Sequence, residues 1–204
     1  RYGINEAGPV TVASPAEVEA VPGTLGKPAA GVLVEIVDRQ GVAVPAGTVG
    51  LIRICSPGQV DGYRDNAAAT AACFQGPWFL PGDLGRFTPE GQIVYYGRAD
   101  HMMIMNGINI FPAEIEAVLT AHPDVLDAAA LPLRHPVHQD VPVCAVVLRP
   151  GHHTTAQALL SHARERLGAH GPHRVMVFDQ IPRNHEGKLA RTELQQMIQD
   201  RLAG

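Results

Sequence analysis

Between residues 22 and 96 the apolar positions come in short runs broken by turn residues. Val32-Leu33-Val34-Glu35-Ile36-Val37, Gly50-Leu51-Ile52-Arg53-Ile54 and Gln92-Ile93-Val94-Tyr95-Tyr96 read as strands. Arg39-Gln40-Gly41, Pro45-Ala46-Gly47 and Pro89-Glu90-Gly91 supply the turns. Strands of this length and spacing predict a small barrel-like or sandwich-like β subdomain. After residue 109 helical and strand periods alternate. Pro112 suits a first helical position, where a missing N–H costs nothing, and Ile115, Val118, Leu119 and His122 then share one face at i, i+3, i+4 and i+7. The expected order is helix 112–121, strands 125–131 and 141–148, helix 156–167, strand 174–178 and helix 192–202. Leu159, Leu160, Ala163 and Leu167 form a core stripe, Gly168 marks a helix end, and Thr192-x-x-Gln195 reads as a capping box. The fold class is therefore α+β: a β-barrel-like subdomain, residues 1–98, followed by a compact α+β lobe, residues 99–204. Asp100 and Gly107 fall in the connector between them.

Composition narrows this picture. The 204 residues are 46% hydrophobic and 18% charged, which is globular, and the net charge of -4 argues against a nucleic-acid surface. Cys55, Cys73 and Cys144 are odd in number and far apart, which points away from a disulfide framework and toward a reducing cytoplasm. No apolar run is long enough for a membrane span and no signal peptide opens the chain. Arg1 runs straight into Tyr2-Gly3-Ile4-Asn5-Glu6 with no element before it, a start that reads as cut from something longer.

Gly97-Arg98-Ala99-Asp100, the glycine seven residues later (Gly107) and Pro112-Ala113-Glu114-Ile115-Glu116 form a compound string. It resembles the hinge motif of the adenylate-forming superfamily, which holds the acyl-CoA synthetases, peptide-synthetase adenylation domains and luciferases. Four further strings follow in that superfamily's order. They are Tyr2-Gly3-Ile4-Asn5-Glu6; Gly50-Leu51-Ile52-Arg53-Ile54 with Gly62-Tyr63; Trp78-Phe79-Leu80-Pro81-Gly82-Asp83; and Pro182-Arg183-Asn184-His185-Glu186-Gly187-Lys188. Asn5 and Pro81 stand where the family strings carry Thr, and His101 stands where many relatives have a second Asp.

The resemblance implies an ATP-dependent acid–thiol ligase that makes an acyl-adenylate and passes the acyl group to CoA or a phosphopantetheine arm. It implies that Tyr2 packs on adenine, where a ring offers a stacking face, with Gly3 and Asn5 beside the nucleotide. Glu6 would help hold Mg²⁺, a hard cation that wants carboxylate oxygen. Asp83 and Arg98 would fix the ribose, an ionised carboxylate being a strong acceptor for two neighbouring hydroxyls. Lys188 would bridge carboxylate and α-phosphate during adenylation. Asp100 would be the pivot about which the small lobe swings, replacing Lys188 by Gly107, whose missing side chain leaves a path for the thiol.

Two other readings compete: an adenylation domain loading an acyl-carrier protein, and a non-catalytic module docking a carrier protein or sister subunit. An incomplete large domain would also expose apolar edges that favour pairing with another chain. His135-Pro136-Val137-His138 and His170-Gly171-Pro172-His173 have suggestive spacing for a metal. Each is broken by proline and lacks a cysteine or helical glutamate partner, so both read as loop histidines. No glycine-rich phosphate cradle occurs anywhere in the chain. The purified 204-residue polypeptide is accordingly expected not to catalyse acid-dependent ATP–pyrophosphate exchange, and robust exchange by it would refute this.

Overall fold

The computed structural model describes residues 1–203, and the chain divides into two compact units after Asp100. The first runs β1 (Tyr2–Ile4), β2 (Gly8–Val12), α1 (Pro15–Ala20), β3 (Thr24–Pro28), β4 (Leu33–Val37) and β5 (Gly50–Cys55). It continues with α2 (Ala67–Cys73), β6 (Phe74–Gln75), β7 (Trp78–Phe79), β8 (Asp83–Phe87) and β9 (Ile93–Arg98), and a 3₁₀ turn begins at Ala99. Strand order is β1-β2-β3-β9-β8-β5-β7-β6, with β4 also on β5.

The sheet is open, which corrects the barrel-like expectation while leaving the α+β class intact. Its terminal strands, β1 and β6, span three and two residues, and strands so short carry too few backbone groups to seal the ends together. The period-2 pattern is real: in β5, Ile52 and Ile54 are buried while Arg53 lies between them and pairs Glu35 directly across on β4. Val10, Ile36, Phe79 and Ile93 complete the core.

The second unit runs β10 (Met103–Met105), β11 (Ile108–Ile110), α3 (Pro112–Thr120), β12 (Val125–His135), β13 (Gln139–Leu148), α4 (Ala156–Leu167), β14 (Arg174–Val177) and α5 (Arg191–Ala203). Its sheet has the order β11-β10-β13-β12, with β14 parallel to β13. Ala128, Ala130, Cys144 and Val146 pack against α3 and α4 on one face; Ala129, Leu131, Val143 and Ala145 pack against α5 on the other. Both faces are covered, which is why β12 and β13 read as almost continuous apolar runs. Leu159, Leu160 and Ala163 are buried and Leu167 packs at the edge of the same cluster, as the stripe predicted. Gly168 ends α4 at φ +54°.

One expectation is overturned within this unit. Residues 103–110 are not a connector but a hairpin, with Met105 opposite Ile108 across the two-residue turn Asn106-Gly107. Both turn residues have positive φ, 52° and 81°, the geometry that matches strand twist and that Asn-Gly adopts at least cost.

The tightest backbone approach lies in the first unit. Gly26 sits at φ +86°, and a Cβ there would lie 2.0 Å from the Val12 carbonyl oxygen. Gly26→Ala therefore forces β2 and β3 apart and is expected to cost about 3 kcal/mol. Urea unfolding followed through Trp78, the single tryptophan, measures this; an unchanged midpoint would refute it.

Candidate functional site

In the first unit two of the candidates, Tyr2 and Arg98, converge on a third, Asp83. This carboxylate opens β8 opposite Arg98, the last residue of β9, so strand register alone brings the two together. Only 6% of Asp83 is exposed, and a buried carboxylate needs donors. Tyr2 donates its hydroxyl to Oδ2, Tyr95 donates to Oδ1 at 3.3 Å, and an Arg98 guanidinium nitrogen lies 3.9 Å from Oδ1. Burial, and then the bond to Asp83, push the Tyr95 hydroxyl up to about 12 and the Tyr2 hydroxyl far above its ordinary range. A carboxylate has about four lone-pair directions, so two tyrosines leave acceptor capacity for a ligand diol.

Arg98 is shared. Besides Asp83 it donates to the Pro81 carbonyl at 2.6 Å and grips Asp100 with two bonds of 3.2 Å, a paired geometry suited to the planar guanidinium. The ribose candidate and the pivot candidate thus hang from one cation. Pro81, the departure from the family string, takes part through its carbonyl. Gly82 is required beside it: at φ +81° a Cβ there would meet the guanidinium at 3.2 Å.

Glu6 has a different partner, accepting the Tyr63 hydroxyl at 2.8 Å through Oε1. Burial and then this bond push Tyr63 up to about 12. Gly3 and Asn5 line an open cavity of about 390 Å³ with Arg1, Ile4, Gly8 and Pro9. Tyr95 carries no role in the sequence reading, and Tyr63 only a structural one, as part of the Gly62-Tyr63 string. The tandem tyrosines of β9 were the only signal for Tyr95, and which of the two faces the carboxylate is set by a register shift between Leu84 and Gly85.

In the second unit Lys188 and Gly107 lie at opposite ends of the β12–β13 ladder. The loop before α5 closes on itself: Asn184 and Lys188 share a backbone bond of 2.8 Å, and the Asn184 side chain accepts from the Lys188 N–H at 2.8 Å. Arg183 ties that loop to Asp127, which pairs Val147 at one end of the ladder. The Asn106-Gly107 turn meets the other end, where His138 bonds Asn106 at 3.0 Å and Met105 pairs Gln139. From Asp127 to His135 is roughly 25 Å of strand. The Lys188 side chain is 77% exposed, and its ammonium pairs with Glu186 at 2.9 Å, a solvent-screened contact that contributes little. A Cβ on Gly107 would touch nothing within 4 Å, so within this unit the turn's φ is what calls for glycine.

Among the described residues no group of three or more histidine, cysteine or acidic side chains could hold a metal. Glu6 offers a second carboxylate oxygen beyond the one bonded to Tyr63. One or two carboxylates plus substrate phosphates is the usual protein share of a Mg²⁺ site.

The raised tyrosines give a pH signature. Neutral Tyr95 is favoured in the folded chain, so its contribution is complete below the ordinary tyrosine value of 10.0 and is lost as pH rises through about 12. Tyr95→Phe should lower stability at pH 8 yet flatten its decline between pH 10 and 12, read from Trp78 fluorescence. An unaltered alkaline slope would contradict the assignment.

Comparison with known proteins shows the family to which these strings belong. Residues 114–188 match the AMP-binding enzyme C-terminal domain. The chain is 36% identical to 2-succinylbenzoate–CoA ligase of Geobacillus kaustophilus, over 73% of this chain and 31% of that protein. It is 33% identical to benzoate–CoA ligase of Thauera aromatica, over 84% and 34%. The solved amide bond synthetase McbA of Marinactinospora thermotolerans superposes with a TM-score of 0.91 at 30% identity, over 96% of this chain and 41% of that one. The chain thus spans about a third of the curated relatives it matches. With an α+β lobe of the same architecture and the motif strings in order, it belongs to the adenylate-forming superfamily, of which residues 114–188 are the AMP-binding C-terminal domain.

Proposed function

We propose that this chain forms part of an ATP-dependent acid–thiol ligase, and that the protein containing it activates a small carboxylic acid and hands the acyl group to CoA. The observation that carries the reading is the placement of Lys188 and Gly107 at opposite ends of one rigid sheet, each on a tight turn. Two half-reactions with opposite needs can then draw on two ends of the same unit. The thiol acceptor rests on the two curated relatives, both CoA ligases.

In the first half-reaction a carboxylate oxygen attacks the α-phosphorus of ATP and pyrophosphate leaves. Both reactants are anionic. The Lys188 ammonium, exposed on its loop, offsets their repulsion as they close. Asp83, its acceptor capacity only partly used by Tyr2 and Tyr95, holds the ribose hydroxyls with Arg98 alongside, and the Tyr2 ring lies against the base. Gly3 and Asn5 border the phosphates. When bound, Mg²⁺ supplies charge neutralisation of those phosphates, with Glu6 as the carboxylate that fits it.

In the second half-reaction the thiol sulfur forms a bond to the acyl carbon, loses its proton, and AMP leaves. The Asn106-Gly107 turn fits this step because no side chain narrows the approach of a pantetheine arm. Rotation about Asp100 changes which end of the second unit is presented. The boundary between units falls directly after that residue, and its two bonds to Arg98 must be exchanged as it turns. Among the described residues no helix is long and apolar enough to cross a membrane, and the three free thiols suit a cytoplasmic enzyme.

Lys188→Ala in the complete enzyme should abolish acyl-adenylate formation, by 10²-fold or more, while largely sparing thiolysis of a supplied acyl-adenylate. Equal loss in both half-reactions would make Lys188 merely structural and overturn the proposal.

A further inference from the structure

We propose that Arg183 is the positioning residue of Lys188, an inference that rests on the adenylation role just assigned to that lysine. The loop carrying Lys188 is rigid within itself. Arg183 and Leu189 pair as an isolated antiparallel bridge, Gly187 donates its N–H to the Asn184 carbonyl at 2.9 Å, and the Asn184 side chain accepts from Glu186 and Lys188. Internal bonds fix the loop's shape but not where it points. That depends on its attachment to the sheet, and Arg183 makes the attachment in two directions. One guanidinium nitrogen donates to the Gly187 carbonyl at 3.1 Å, on the residue immediately before Lys188, and another donates to Asp127 Oδ2 at 2.7 Å.

Asp127 is aimed for this contact. The β12–β13 register shifts between Val125 and Asp127, and a bulge of this kind redirects the side chain that follows. Its Oδ1 accepts the Ala128 N–H at 2.9 Å, leaving Oδ2 toward Arg183. A second arginine reinforces the base of the loop: Arg191, at the start of α5, reaches the Ala130 carbonyl at 3.4 Å. The Ala130 N–H donates to Glu116 Oε1 at 2.9 Å, which fastens α3 to that stretch of β12. Lys188 therefore rises from a platform braced by β12, α3 and α5. An arginine fork can hold a carboxylate and a carbonyl together, whereas a lysine ammonium is a single point charge on a flexible stem. A misplacement of about 1 Å at a reacting cation costs as much as 10²-fold in rate.

The test pairs kinetics in the complete enzyme with amide hydrogen exchange in the 204-residue chain. Arg183→Ala should lower the adenylation rate at least tenfold, leave KM for ATP and acid within twofold, and leave thiolysis of supplied acyl-adenylate within twofold. Asp127→Asn should do the same more weakly, and Arg183→Lys should recover part of the rate. Exchange at the Gly187 and Lys188 amides should quicken tenfold or more in Arg183→Ala while the β12 and β13 amides keep their protection. Unchanged exchange at those two amides, equal loss in both half-reactions, or unaltered adenylation would each overturn the assignment. Lys188→Ala, measured alongside, separates the two claims. If that variant still adenylates, the proposed function falls and this inference with it; if it does not, an insensitive Arg183→Ala removes the clamp alone.

Discussion

The antiparallel ladder between β12 and β13 is the constraint on which the second unit depends. It runs from Val125 opposite Leu148 to His135 opposite Gln139 without a break apart from the shift near Asp127. Covered by α3 and α4 on one face and α5 on the other, it cannot bend without opening a core. It therefore acts as a strut, with one end carrying the loop of Lys188 and the other touching the turn of Gly107. Each terminus is fastened by polar side chains, Arg183 with Asp127 at one and His138 with Asn106 at the other.

The first unit is organised by a smaller but equally demanding requirement, the satisfaction of one buried carboxylate. Burying Asp83 without donors would cost several kcal/mol. Tyr2 from β1, Tyr95 and Arg98 from β9 meet that need, so strands distant in sequence are drawn to one point. Arg98 then carries the arrangement outward to Asp100. A guanidinium serving both carboxylates makes the nucleotide-binding candidates and the pivot candidate parts of one polar network, in which a change at either end alters the partners left to the other.

Much of this was legible in the chain itself. Helix α4 occupies the span its periodicity predicts, 156–167, because a wide apolar stripe bounded by a capping threonine and a terminal glycine leaves little alternative. Helices α3 and α5 begin and end within a residue of expectation, although Phe111 gives α3 no side-chain cap and Thr192, expected to open a capping box, lies within α5, which begins at Arg191. The Asp83–Arg98 pairing was visible as two motif residues, though not as a strand register. Less legible were β1 and the short strands β6 and β7, since two or three residues cannot display a period. The 103–110 hairpin was hidden for another reason. Its strands are three residues each, Met103-Ile104-Met105 apolar throughout and Ile108-Asn109-Ile110 too short to show a period, and only the Asn-Gly pair between them announced a turn.

By itself the sequence determined the α+β class, the helical spans of the second unit and the motif strings that nominate candidate site residues, because these follow from local periods and short motifs. Tertiary structure alone decided that the β sheet stays open and that Tyr95 rather than its neighbour meets Asp83. It also decided that Arg98 is divided between two carboxylates and that Lys188 and Gly107 sit a full strand-length apart. These are matters of register and distance. They depend on which strands pair and at what offset, and that offset is set by burial summed over both faces of a sheet, which no single stretch of chain contains.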